Sequence, residues 1–218
     1  MIKKIFLVAI CSLFLQSCMV SVKRDYQNLS RSLVFRNDQK WLINSTYTDL
    51  GSEERERLNN RIFETFQDLS GHHAIKIIDA QQQNLLPHKI PFAPSFEDLE
   101  VLKKNAEFDF LVNSYTKIVS DQIANIETSL PLQYSKNEAF AIIEVYDLKT
   151  LKRIYFQKAS SQTEMEARKT YPQYSGQELY ENKEKGSDSG PFFSYSAQQL
   201  SVKNMKKILK DINKNAVK

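Results

Sequence analysis

Three rhythms of hydrophobic residues divide this chain. The first is a block: behind Lys3 and Lys4, every residue from Ile5 to Leu15 except Ser12 is apolar. Those eleven residues rise about 16 Å as a helix, against roughly 30 Å of hydrocarbon in a bilayer. They read as the apolar centre of a secretory signal over residues 1–17, not as a membrane span. From Met19 to about Asp38 the period is lost among Ser, Arg, Lys and Asn, and residues 18–38 read as a tether reaching at most about 70 Å. Leu33, Val34 and Phe35 interrupt it and are expected to dock on the body, which begins at Gln39.

In the body the period is first two. Lys40 to Thr48 alternates Trp41, Ile43, Ser45 and Tyr47 against Leu42, Asn44 and Thr46, which predicts a strand with one apolar side. Gly51 breaks it. Ser52 is read as the N-cap of a helix with Glu53, Glu54 and Glu56 in its first turn, where the helix dipole favours negative charge. The period is now 3.6: Leu58, Ile62, Phe63, Phe66 and Leu69 form one stripe, and Gly71 stands where a left-handed closing residue is wanted. Ala74–Ala80 predicts a short strand, and Gln81 to Pro94 a loop. Ser95 and Asp98, at capping-box spacing, open a second helix with Leu99, Leu102 and Ala106 on its buried side.

Phe108–Val119 predicts a longer strand, and Ala139–Asp147 with Arg153–Ala159 predicts a hairpin turning through residues 148–152. Between Ser160 and Tyr195 the periodicity disappears. The chain closes on an amphipathic helix from Ser196 to about Asn215, with Val202, Met205, Leu209, Ile212 and Ala216 opposite Lys203, Lys206, Lys207, Lys210 and Lys214. The order is β-α-β-α-β-β-α. Strands separated by helices imply parallel crossovers and the hairpin adds an antiparallel piece. The predicted fold is therefore α/β, a mixed parallel/antiparallel sheet of about five strands packed with three helices, in a single domain over residues 39–218. The irregular insertion at 160–195 carries Tyr171, Tyr174, Tyr180, Phe192, Phe193 and Tyr195. Rings set among Ser, Gly and Gln supply contact area with polar handles, so these six are the candidate partner-binding residues, with a satellite core as the structural alternative.

Two phrases carry a resemblance. Ala106-Glu107-Phe108-Asp109-Phe110-Leu111-Val112 leads from a helix into a strand, and Val145-Tyr146-Asp147-Leu148-Lys149-Thr150-Leu151-Lys152-Arg153-Ile154 turns a hairpin, with Leu151 where a glycine is expected. Over roughly residues 39–160 the succession resembles the periplasmic α/β domain shared by the N-terminal domain of TolB, the curli secretion lipoprotein CsgG and lipoproteins that activate penicillin-binding proteins. The resemblance implies a job in assembly or regulation at the bacterial envelope, through protein contacts.

A second resemblance sits at the front: Leu15-Gln16-Ser17-Cys18 is similar to the lipobox of bacterial lipoproteins. It implies that Cys18 becomes the first mature residue and carries a diacylglycerol and an N-acyl chain. Several chains anchor a protein stably where one is marginal. Met19 in place of an aspartate implies the outer membrane, and no acidic run follows to imply surface export. With Cys11 lost alongside the signal and Cys18 blocked, no disulfide is expected, so packing alone must hold the fold.

Charge and chemistry narrow the function classes. The full chain carries 30 basic and 26 acidic side chains, a net +4; loss of Lys3 and Lys4 leaves the mature chain at +2. The charges are interspersed, which argues against nucleic-acid binding. His72 and His73 are neighbours that would point to opposite faces of a strand, and His88 lies in a loop, so no metal set is predicted. No glycine-rich phosphate or nucleophile motif appears, and no cofactor is expected. Glu144 and Asp147 could form an acid/base pair, but Glu144 is read as a solvated strand residue. The expectation is a non-enzymatic adaptor or assembly factor with a periplasmic or outer-membrane protein partner. The alternatives are a cell-wall glycan-binding lipoprotein or hydrolase, and a CsgG-like pore subunit, for which the 160–195 segment lacks the alternation of membrane strands. The short tether disfavours a penicillin-binding-protein activator.

Overall fold

The computed structural model describes residues 22–27, 29–82, 86, 90–105, 107–121, 134–166 and 195–218, without the side chains of 105, 134, 135 and 164–166. In chain order its elements are β1 (Val22–Asp25), β2 (Trp41–Ile43), α1 (Ser52–Leu69), β3 (Ala74–Lys76), α2 (Ile77–Gln81), α3 (Phe96–Asn105), β4 (Phe110–Asp121), β5 (Tyr134–Asp147), β6 (Lys152–Glu166) and α4 (Ala197–Asn215). They form the mixed α/β fold expected. Among the described residues the sheet has six strands, in the order β1-β6-β5-β4-β2-β3, and four helices pack on it. β2 runs parallel to β3 and β4, and the remaining pairs are antiparallel.

Trp41, Leu42 and Ile43 are all buried. Consecutive strand residues point to opposite faces, so this burial means that β2 is covered on both sides, not one as predicted. On the first face Trp41 and Ile43 join Leu58, Ile62 and Phe66 of α1, Met205, Ile208 and Ile212 of α4, and Ala141, Ile143 and Val145 of β5. On the second, Leu42 and Leu111 meet Ile77 and Ala80 of α2, Leu99 and Leu102 of α3, and Tyr146 and Leu148. Helices thus flank the sheet where the parallel strands lie.

The strongly periodic elements lie where predicted. α1 buries Leu58, Ile62, Phe66 and Leu69, and Gly71 closes it at φ 64°, a value costly for any residue with a Cβ. Its N-cap is Gly51 rather than Ser52, and no side chain caps it. The capping box of α3 is reciprocal: Asp98 N–H donates to Ser95 Oγ at 3.2 Å and Ser95 N–H to Asp98 Oδ2 at 2.9 Å. Ser196 and Gln199 cap α4 in the same way. Residues 74–80 do not form one strand. After Lys76 the chain turns helical, because Ile77 and Ala80, three apart, can then face the same core while Ile78 and Asp79 face water.

Two corrections concern extent. β5 begins at Tyr134 and β6 runs to Glu166, so the first residues of the supposed irregular insertion continue the ladder, Ser160 opposite Phe140 and Thr163 opposite Asn137. And the stretch read as a tether is built into the body. Val22–Asp25 adds a sixth strand on the edge of β6, Leu33 and Phe35 are buried, and Val34 and Val217 form a bridge. Polar sequence hid this, since an edge strand exposes most of its side chains.

The two phrases of the resemblance meet at Asp109. Its Oδ2 accepts Lys40 N–H at 2.9 Å and its Oδ1 pairs with Lys149 Nζ at 2.7 Å, tying the start of β2 to the β5–β6 turn. That turn carries Leu151 at φ 57°, the backbone state a glycine would favour. Partial burial pulls the Asp109 carboxyl up, but the bonds from Lys149 and from Lys40 N–H outweigh it and hold its pKa below the ordinary 3.8. A carboxyl lowered on folding contributes stability above its unfolded value and loses it as pH falls through the folded one. The stability gap between wild type and Asp109→Asn is therefore expected to be full above about pH 4 and to close below it, in urea titrations run across that range. A pH-independent gap would mean that Asp109 acts by shape alone.

Candidate functional site

At the carboxyl ends of β2 and β3 the sheet gives way to the first turns of α1, leaving a cleft of about 370 Å³ lined by Ile43, Asn44, Ser45, Arg55, Asn59 and Lys76, among others. Open α/β sheets place ligand crevices outside the carboxyl ends of parallel strands. Here most polar groups are already engaged: Asn59 Oδ1 accepts Thr46 N–H at 2.9 Å, Asn60 Oδ1 accepts Lys76 Nζ at 2.8 Å, and Lys76 stands 4.9 Å from the Phe63 ring. Exposed Arg55 and Glu56 rim it. The cleft can receive a polar side chain.

The second sheet face carries the most concentrated polar chemistry. Glu144, read as solvated, is 3% exposed, a correction that follows from its neighbours: Tyr146 O–H donates to its Oε2 at 2.7 Å and Arg153 pairs with its Oε1. Burial, reinforced by the bond to the carboxylate, pushes the Tyr146 pKa far up. Opposite Glu144 on β4, Asn113 accepts Asn44 Nδ2 at 2.9 Å and donates to the carbonyls of Pro91 and Phe92. These amides pin the loop before α3. On the first face Asp211 Oδ2 accepts from Arg24 at 2.9 Å and from Gln157 at 3.0 Å, and Tyr155 O–H donates to Gln157. Burial again raises the tyrosine's pKa, with Tyr26 and Asp211 adding to it.

Beyond the reach of α2 and α3 the second face carries a row of rings. Tyr47, Phe92, Tyr115 and Phe140 follow one another at centroid spacings of 6.3, 5.1 and 5.8 Å, and Lys158 Nζ sits 4.4 Å over Phe140. The sequence did not reveal this row, because its members come from a loop and three segments. Only the pairing of β4 with β5 brings Tyr115 and Phe140 together.

Of the six predicted partner-binding residues, Tyr171, Tyr174, Tyr180, Phe192 and Phe193 lie outside the described residues, as does Cys18. Tyr195 is half-buried just ahead of α4; its carbonyl accepts Asn137 Nδ2 at 3.1 Å and Lys203 Nζ lies 4.1 Å over its ring. It does not join the row on the second face. Exposed His72 and His73 precede β3, and among the described residues no three His, Cys, Asp or Glu side chains converge as metal ligands. No described helix is long and apolar enough to cross a membrane.

No family model matches this chain, and no curated protein does. Among solved structures it is similar to the PelC dodecamer from Paraburkholderia phytofirmans, with TM-score 0.41 and 9% identity, covering 92% of this chain and 100% of that one. It is similar to lipoprotein GNA1162 from Neisseria meningitidis, with TM-score 0.32 and 11% identity, covering 67% and 96%. It is also similar to the LpoB C-terminal domain from Salmonella enterica, with TM-score 0.31 and 10% identity, covering 71% and 91%. Likenesses at this level carry no argument about what the chain does.

Proposed function

We propose that this chain is a lipid-anchored adaptor or assembly factor of a bacterial envelope. On this reading acyl chains on Cys18 hold it at the periplasmic side of the outer membrane, and it works by contact with a protein partner rather than by catalysis. One observation carries the reading: a signal ending in Leu-Gln-Ser-Cys is joined to a body whose helical layer bares large apolar side chains, Phe96 at 61%, Ile78 at 56% and Val101 at 41% exposed. Phe96, the most exposed of the three, is the side chain a partner contact would bury. The buried carboxylates Glu144 and Asp211, by contrast, are each held by an arginine and a second donor, an arrangement that supports structure.

Two measurements test it. Cys18→Ala is expected to abolish acylation, read by intact mass, and to let a high-salt wash release the protein from the membrane fraction. A photo-crosslinking residue at position 96, in the acylated protein in its own membrane, is expected to trap one partner of defined mass, while the same residue at position 149 traps none. Retention of Cys18→Ala in salt-washed membranes would sink the anchor. Equal crosslinking at both positions would sink the contact surface.

A further inference from the structure

We propose that the half of the second sheet face that no described helix covers rests on the anionic headgroups of the membrane that holds the anchor. The inference builds on the lipid-anchored reading above. Antiparallel pairing sets Val22 opposite Ser161 and Asp25 opposite Lys158, so β1 enters the sheet from the end at which β6 finishes and β5 starts. Cys18 precedes Val22 by four residues, a span of at most about 14 Å. The body is therefore held directly against its lipid, where a free tether to Gln39 would have let it roam.

The same register decides which side chains stand together. Lys23 lies opposite Ser160, Ser160 opposite Phe140, and Phe140 opposite Lys117, one row across four strands. The next row is Asp25, Lys158, Ile142 and Tyr115. Together they make a patch with an apolar centre of partly exposed Phe140, Ile142 and Tyr115, extended by Phe92, and a rim of Lys23, Lys117 and Lys158. Asp25 is the acid in these two rows; beyond them Glu138 is paired with Lys136 at 2.7 Å. Aromatic rings flanked by lysines are the chemistry of a membrane interface: rings sit at headgroup depth while ammonium groups reach lipid phosphates. Anchor position and charge thus select a lipid surface as the occupant.

The test uses the mature chain carrying Cys18→Ala, which removes the acyl chains and leaves the patch to act alone. It is sedimented with vesicles of phosphatidylcholine alone or mixed with anionic phosphatidylglycerol. Binding is expected to the anionic vesicles, weakening as salt rises, and each of Lys23→Gln, Lys117→Gln and Lys158→Gln is expected to reduce it about fivefold. Phe140→Ser should reduce it further, while Lys210→Gln, exposed on α4 against the first face, should leave it unchanged. The lysine variants decide the matter if Phe140→Ser lowers the melting temperature. No vesicle binding, or binding indifferent to the lysines, would overturn the proposal. Pelleting with purified peptidoglycan in place of vesicles would also overturn it and assign the rings to glycan. Because the assay is acyl-free, its failure is distinct from a failure of Cys18 acylation, which intact mass reads on the native protein.

Discussion

A chain that starts at Gln39 is expected to be largely unfolded at room temperature. A dispensable tether would predict no change at all. Residues 22–38 supply Leu33 and Phe35, 4% and 3% exposed, and the Phe35 ring stacks on Trp41 at 4.6 Å. Removing a buried leucine and a buried phenylalanine costs about 2 to 5 kcal/mol each. The cut also takes away Arg24, which leaves the carboxylate of Asp211, 7% exposed, with Gln157 but without its cation. It strips β1 from the edge of β6 as well, exposing unpaired backbone groups. A native domain is stable by only about 5 to 15 kcal/mol, so these losses take most of it. Guanidinium titration followed by circular dichroism, comparing the mature chain with one beginning at residue 39, reads the result. An unchanged midpoint would show that the N-terminal segment does not belong to the core.

Trp41→Ala is expected to cost about 3 to 5 kcal/mol, and Trp41→Phe to stay within about 1. Trp41 is fully buried, lies between Phe35 at 4.6 Å and Phe110 at 4.4 Å, and leans on Phe66 at 5.7 Å. It joins the N-terminal segment, α1 and the sheet in one stack, so truncation empties the centre of the first core. Its Nε1 has no hydrogen-bond partner among the described residues. An indole N–H buried without an acceptor is a standing cost, and phenylalanine removes that cost while refilling most of the volume. The two unfolding midpoints, set against wild type, separate packing from polarity. A phenylalanine variant as damaged as the alanine one would mean that indole shape, not the stack, is what the core requires.

Trp41 also shows where sequence reasoning stopped. Its strand was read from the alternation over Lys40–Thr48, of which only Trp41–Ile43 is strand, and alternation assigns faces without saying how many are covered. Glu144 was misplaced for the same reason. A carboxylate in a strand looks solvated until pairing sets Arg153 beside it and Tyr146 two residues along on the same face. The row of rings from Phe92 to Phe140 has no local signal, because its members are separated by long stretches of chain.

Taken alone, the amino-acid order determined what is local: the stripe of α1, the capping box of α3, the amphipathic face of α4 and the α/β class. Periodicity and end chemistry act over a few residues, so they can be read without a partner. Tertiary structure alone decided that Val22–Asp25 is a strand, that Leu33 and Phe35 belong to the core, and that Lys23, Phe140 and Lys117 share one row. Those outcomes depend on which strand lies beside which. Register is set by burial summed over the whole sheet, and no window of sequence contains that sum.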